Sequence, residues 1–297
     1  MESFQIISDG SCDLGAELAK KHRIHVVPFY VSFDDTTYQK EIEEIPVREF
    51  YQEMVDHPDI FPKSSLPNVR DYTDAFLPYV RSGIPVLCIC ITSKFSGSYS
   101  AALNAKDLLL DEYPDARITV IDSTINTVLQ GLFVQEAARL RDQGYSLESA
   151  VSRLEEIKSS GRIFFTIGNM DYLIHGGRVG KVMGVAGKAL GIRPVITLKE
   201  GEIFPSGISR SRIKSKHKVI DLLLAYFNES GERAEDYRMV IGYGYDYSEA
   251  VSFRNDVSAA LDGISGDHEL PIWQIGATIG VHTGPYPMGI GILKKAL

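Results

Sequence analysis

At 297 residues the chain is longer than one typical hydrophobic core supports, and its 44% hydrophobic content is that of a soluble globular protein, so two domains are expected. The formal charge of −8 excludes an extended nucleic-acid surface, which needs a concentrated basic field, and no apolar run reaches membrane-spanning length. The opening MESFQIISDG has no basic region and no cleavage site, and the three cysteines lack metal-ligand spacing, so a cytoplasmic protein without metal or other cofactor is expected.

Phe4 to Ile7 reads as a short strand ending in the polar turn Ser8-Asp9-Gly10-Ser11-Cys12-Asp13. A helix from Leu14 to His22 and a second strand from His25 to Phe33 follow. Pro46, favoured at the first helical position, opens a helix with Phe50, Met54 and Val55 on its apolar face. In Phe61-Pro62-Lys63-Ser64-Ser65-Leu66-Pro67 two prolines bracket two serines and exclude regular structure. This loop either presents hydroxyls or simply turns the chain into the helix that begins near Asn68.

Val86 to Ile91 is apolar or Cys throughout, as in a strand covered on both faces, with Cys88 and Cys90 on one face as small hydrophobes. Thr92 to Ser98 breaks the run. Ser93, Ser96 and Ser98 bring hydroxyls, Gly97 lets backbone approach a guest, and the next helix points its unpaired N–H groups into the same turn. That combination suits an anion, while a serine that merely caps the helix is the plainer alternative. Ala116 to Ile121 is a fourth strand ending at Asp122-Ser123-Thr124, and Leu129 to Arg141 and Leu147 to Lys158 read as amphipathic helices. The alternation predicts an α/β domain over residues 1–160, a parallel sheet with helices on both faces, whose C-terminal edge gathers Asp9, Ser96 and Asp122.

Ser159-Ser160-Gly161 marks the boundary to a mixed α/β domain over residues 161–297. Ile163 to Ile167 is a strand, and Tyr172 to Arg178 is a glycine-rich turn without the Gly-Lys-Ser or Gly-Lys-Thr of a phosphate loop. Lys181 to Leu190 reads as a helix with Gly184, Gly187 and the following Gly191 on one face. Each interior glycine costs about 1 kcal/mol against alanine, so a neighbouring helix or the wall of a narrow apolar tunnel packs closely there. Pro194 to Lys199 and Glu202 to Phe204 form a hairpin about Glu200-Gly201. Within Leu270 to Leu293, His282 reads as the end of an apolar strand, either a satisfied core residue or, with its ring held by the turn Thr283-Gly284-Pro285, a site residue. Five Arg or Lys and His217 crowd Arg210 to Lys218, leading into a helix from Val219 to Phe227.

The sequence resembles the DegV family, bacterial fatty-acid-binding proteins that present an acyl carboxylate to a separate fatty-acid kinase. The likeness spans the chain and rests on Asp9 to Asp13, Ser64 to Pro67, Thr92 to Tyr99, Asp122-Ser123, Gly176-Gly177-Arg178, Arg193-Pro194-Val195 and His282 to Pro285. It implies a long-chain fatty acid, for example palmitate, with its carboxylate held by Ser64, where the family usually has Thr, and by Ser96. Ser93, Gly97, Arg210, His282 and Thr283 are implied as the other ligand-binding positions, with a kinase subunit as partner and contact with a membrane surface only transient, never integral. Gly10, Cys12 and Leu66 depart from the family pattern at the polar rim, and Tyr286-Pro287 departs at the ligand entrance.

Some fifteen buried methylenes at about 0.8 kcal/mol each give a gross gain on the order of 12 kcal/mol, before ordering and association costs. Neutral hydroxyls then suit the head, because they hold a carboxylate without a tight arginine clamp that would compete with its attack on a phosphoryl group. The chain is thus expected to be a lipid-binding protein rather than an enzyme. The rival is a serine hydrolase acting on an acyl ester through Ser96 or Ser93, His282 and Asp9 or Asp122, against which stands the missing Gly-x-Ser-x-Gly elbow.

Overall fold

The computed structural model describes residues 3–182, 184, 191–262 and 270–297. From the amino terminus the chain runs through β1 (Gln5–Asp9), α1 (Gly15–Lys21), β2 (Ile24–Val27), β3 (Tyr30–Ser32), β4 (Gln39–Lys40), α2 (Val47–Asp56) and β5 (Lys63–Ser65). It continues through α3 (Val69–Arg81), β6 (Val86–Cys90), α4 (Ser98–Glu112), β7 (Ile118–Asp122), α5 (Thr127–Asp142) and α6 (Leu147–Lys158). Strands β2-β1-β6-β7 form an all-parallel sheet, as the alternating pattern predicts. Successive side chains on a strand point to opposite faces. Ile7, Cys88 and Cys90 accordingly pack under α3 and α4, and Ile6, Leu87 and Ile89 pack on the other side with α5.

Three expectations for this half change. The segment from His25 to Phe33 is two strands in two sheets, because Pro28 has no N–H to continue the ladder and the chain turns between Val27 and Tyr30. The serine loop contains a strand: β5 joins β3 and β4 in a three-stranded antiparallel sheet, pairing Ser64 with Val31. The turn that starts α3 is made by Asn68, whose side chain accepts from the amides of Arg70 and Asp71, so Ser64 is not needed as a cap. Finally, α5 is not amphipathic. Fourteen of its residues are buried, on every face, because it lies between the parallel sheet and a second sheet.

That second sheet comes from β8 (Arg162–Thr166), α7 (Asp171–His175), β9 (Arg193–Lys199), β10 (Glu202–Ser209), α8 (Arg212–Ser230), β11 (Tyr237–Tyr243), α9 (Tyr247–Leu261), β12 (Ile272–Gln274), α10 (Ala277–Thr283) and β13 (Met288–Lys294). Its order is β10-β9-β8-β13-β11-β12, antiparallel except for the β11–β12 pair. The hairpin β9–β10 forms about Glu200-Gly201 and runs on to Ser209. The glycine-rich segment begins as the helix α7 before turning, and the helix expected from Lys181 to Leu190 lies largely outside the described residues. His282 lies in the last turn of a helix, not on a strand. The fold is therefore α/β, with a parallel sheet before residue 160 and a mixed sheet after it. One hydrophobic cluster crosses that point, joining Ile6 and Ile89 to Leu132, Ile163, Ile196 and Leu293 through α5.

The basic run also differs from expectation, since α8 begins at Arg212 rather than Val219 and takes most of the cations into its first two turns. Arg212 donates two hydrogen bonds to Glu249 at 2.9 and 2.7 Å, Lys216 joins the same carboxylate at 3.1 Å, and Lys218 donates to the Ile208 carbonyl. Cations at a helix start oppose its dipole. Glu249 offsets this from the neighbouring helix α9.

Candidate functional site

Between the mixed sheet and the elements facing it lies a cavity of about 230 Å³. Its sheet wall follows from register. Gly242, Gly289 and Phe165 are paired across β11, β13 and β8, and Gly291, Ile163, Leu198 and Ile203 form the next row across β13, β8, β9 and β10. All seven line the cavity, so this wall is apolar and its glycines keep it low. The opposite wall is formed by Ile91, Phe95 and Ser96 after β6, by the start of α5, by Ser64 to Leu66, and by α10.

At one place on that wall residues 218 apart in sequence meet: Ser64 Oγ lies 3.2 Å from His282 Nε2. β5 presents Ser64, and the last turn of α10 presents His282. Gly284 ends α10 at φ 74°, ψ −173°, a conformation open to glycine, and a Cβ there would stand 2.5 Å from the Tyr172 ring. Burial first, and then the positive charge of Arg178, lower the His282 pKa from 6.5 to about 4, so the ring is neutral near pH 7. Its Nδ1 faces Gly176, where a side chain would not fit, and has no hydrogen-bond partner among the described residues. A buried N–H without an acceptor is the costlier arrangement, so the proton belongs on Nε2. His282 therefore donates to Ser64 Oγ, which leaves the Ser64 O–H free to donate into the cavity.

Ser96 also lines the cavity, and its Oγ accepts the Ser98 amide at 3.2 Å, so it serves the start of α4 as well. Thr283 lines it too, with its hydroxyl donated to the Ile279 carbonyl. Ser93, Gly97 and Arg210 are outside the lining. The Ser93 amide donates to Asp122 and its side chain is exposed, Gly97 is the N-cap of α4 against Leu66, and the Arg210 carbonyl accepts from Arg193. Asp9 is an anchor rather than a ligand group: its carboxylate accepts from the Ile91 amide, the Ser98 hydroxyl and the Gln130 amide group at 2.9, 2.7 and 2.8 Å. Those bonds tie the loop after β6 to the parallel sheet and to α5.

The profile of a family described as "Uncharacterised protein, DegV family" matches residues 3–295. The chain belongs to the DegV family. A DegV domain-containing protein of Clostridium acetobutylicum is 30% identical over 290 residues, covering 96% of each chain. Among solved structures, a stearic-acid-binding protein of Eubacterium ventriosum superposes with a TM-score of 0.93 at 45% identity, over 99% of both chains. A DegV family protein of Thermus thermophilus, described by its fatty-acid binding, has a TM-score of 0.86 at 27% identity, over 98% of this chain and 99% of its own.

Three features of this DegV cavity escaped the residue-by-residue reading. Arg178 entered only as part of a motif, yet it lines the cavity, and its guanidinium is fixed by bonds to the Phe95 and Gly176 carbonyls. Gly289 and Gly291, alternating on a strand, were a readable sign of close backbone approach. Asn126 and Thr278 line the cavity without any motif to announce them.

Proposed function

We propose that the chain binds a long-chain fatty acid in this cavity and presents the carboxylate to a separate fatty-acid kinase, in a cytoplasmic setting. The observation that carries the reading is the Ser64–His282 pair at a polar place on the wall of an otherwise largely apolar cavity. Tail burial supplies the affinity, and the hydroxyls of Ser64 and Ser96 supply donors to the head, which a carboxylate leaving water requires. A neutral His282 donates to Ser64 Oγ and so leaves the Ser64 O–H for the ligand head without forming an ion pair with it, and the carboxylate keeps its nucleophilic charge for phosphoryl transfer.

The chain itself carries no catalytic role in this reading. A serine hydrolase needs its histidine to accept the serine proton and a further group to orient that histidine. Here Nε2 bears the proton, Nδ1 has no carboxylate partner among the described residues, and the serine at His282 is Ser64 rather than Ser96. Native mass spectrometry of the protein as purified tests the binding half, with a co-purified fatty acid as the expected result. Acyl phosphate formed only when a fatty-acid kinase is added tests the other half. Protein that takes up no palmitate after delipidation would sink the proposal.

A further inference from the structure

Neither half of the Ser64–His282 pair is fixed by its own element. β5 is a three-residue strand bonded only to β3, at the edge of its sheet, and α10 is a seven-residue helix that ends one residue after His282. A hydrogen bond weakens steeply with distance and misalignment, so a third element must set the separation of two such short ones. α7 touches both. The buried Tyr172 ring packs on Phe61, three residues before Ser64, with 5.0 Å between ring centroids. The same ring meets Gly284, two residues after His282, so closely that a Cβ there would stand 2.5 Å from it. Tyr172 also shares a hydrophobic cluster with Val31, the residue paired with Ser64 across β3 and β5, and with Val281, the neighbour of His282. Phe61 is stacked in addition on His175 of α7, with centroids 3.8 Å and planes 11° apart. Gly176, the C-cap of that helix, leaves the room that His282 Nδ1 takes.

We propose that Tyr172 is a positioning residue for the head-group site: its ring, in contact with Phe61 on one element and Gly284 on the other, sets the separation of Ser64 from His282 and so aims the Ser64 O–H at the ligand carboxylate. The aim at a carboxylate rests on the acyl-chain reading above, whereas the control of the Ser64–His282 separation does not. The ring itself carries the role, because Gly284 meets the ring carbons Cγ, Cδ2 and Cε2 and Phe61 packs against the ring, with no contact through the phenol oxygen. A smaller aliphatic side chain leaves a gap that β5 and α10 relax into. The 3.2 Å bond from His282 Nε2 to Ser64 Oγ then lengthens or loses its alignment, and the serine hydroxyl is no longer held toward the cavity.

The test uses the whole delipidated protein, with palmitate binding followed by calorimetry and the His282 ring titrated by NMR. Tyr172→Leu should lower palmitate affinity about tenfold, the scale of a hydrogen bond to a charged group partly lost. Tyr172→Phe, which keeps the ring, should bind as wild type does. In a Ser64→Ala background, Tyr172→Leu should change affinity by less than about twofold, because the separation it sets no longer matters there. His282, kept neutral down to about pH 4 chiefly by burial, should titrate at higher pH in Tyr172→Leu and not in Tyr172→Phe. Phe61→Leu, at a half-buried position, loosens the β5 side alone and should repeat both the loss and its dependence on Ser64, which decides the matter if Tyr172→Leu does not fold. Unchanged affinity in these leucine variants, or a loss as large without Ser64 as with it, would overturn the assignment and leave Tyr172 a packing residue. Wild type that binds no palmitate would instead overturn the acyl-chain reading, and the His282 titration would then decide the control of separation by itself, an unmoved titration in Tyr172→Leu overturning it.

Discussion

Replacing Ser64 with alanine removes the acceptor that His282 Nε2–H has at 3.2 Å and the hydroxyl expected to face the ligand head. In the free protein the imidazole N–H is left without a partner in an enclosed place, which costs about 1–3 kcal/mol. At about 2–4 °C of melting temperature per kcal/mol for a chain of this order, the midpoint should fall by several degrees. Binding loses a hydrogen bond to a charged group, about 1.5–3 kcal/mol, so palmitate affinity should fall roughly 10- to 150-fold. Ser64→Thr keeps the hydroxyl and should restore both quantities. The assay is titration calorimetry of delipidated protein with palmitate, beside thermal melts of wild type and both variants. A folded Ser64→Ala protein that binds palmitate within twofold of wild type would refute the assignment of Ser64 to the head group, and an unchanged melting temperature would refute the direction of the His282 hydrogen bond.

Gly131→Ala should destabilise the fold by about 1–3 kcal/mol in equilibrium denaturation, because a Cβ on α5 there would sit 2.4 Å from the Cys12 carbonyl oxygen. A neutral or stabilising outcome would contradict the close fit of α5 against the turn after β1. Burial raises the Asp9 pKa from 3.8 to about 6, so the folded chain holds a proton that the unfolded chain has lost, and this contribution to stability declines as pH rises from about 4 to about 6. His282 works in the opposite sense: its pKa is lowered from 6.5 to about 4, so its contribution is present above pH 6.5 and is lost as pH falls toward 4. Denaturation midpoints between pH 4 and 7 should therefore rise more steeply with pH in Asp9→Asn than in wild type and less steeply in His282→Gln; parallel profiles would contradict both. A fluorophosphonate probe should leave the protein unlabelled, whereas stoichiometric labelling of Ser64 or Ser96 that depends on His282 would restore the hydrolase reading.

Local sequence determined the parallel half of the fold. Val86 to Ile91 is apolar at every position because a strand between two layers of helices has no wet face, and the strand-and-helix alternation around it admits few other topologies. The hairpin at Glu200-Gly201 and the helix Leu147–Lys158 were equally legible, since turn chemistry and helical period act over a few residues. The break at Pro28 was written in the chain too, because a residue without an N–H interrupts a ladder wherever it falls.

The cavity was not legible in the same way. Ser64 carries no local sign that it will face His282, 218 residues on, and only the packing of α10 against α2, β3 and β5 brings them together. The segment 277–283 contains glycine and β-branched residues that favour a strand or no structure, yet it is helical because its neighbours bury it and Glu41 accepts the Thr278 amide in its first turn. α5 reads as amphipathic because periodicity reports only one buried face, and the second sheet that covers its other face is assembled from residues 162–294. The neutral state of His282 is likewise decided by what surrounds it. Burial and the distances between remote groups are properties of the folded whole, and these set both the charge of the site and the hydrogen bonds left open in it.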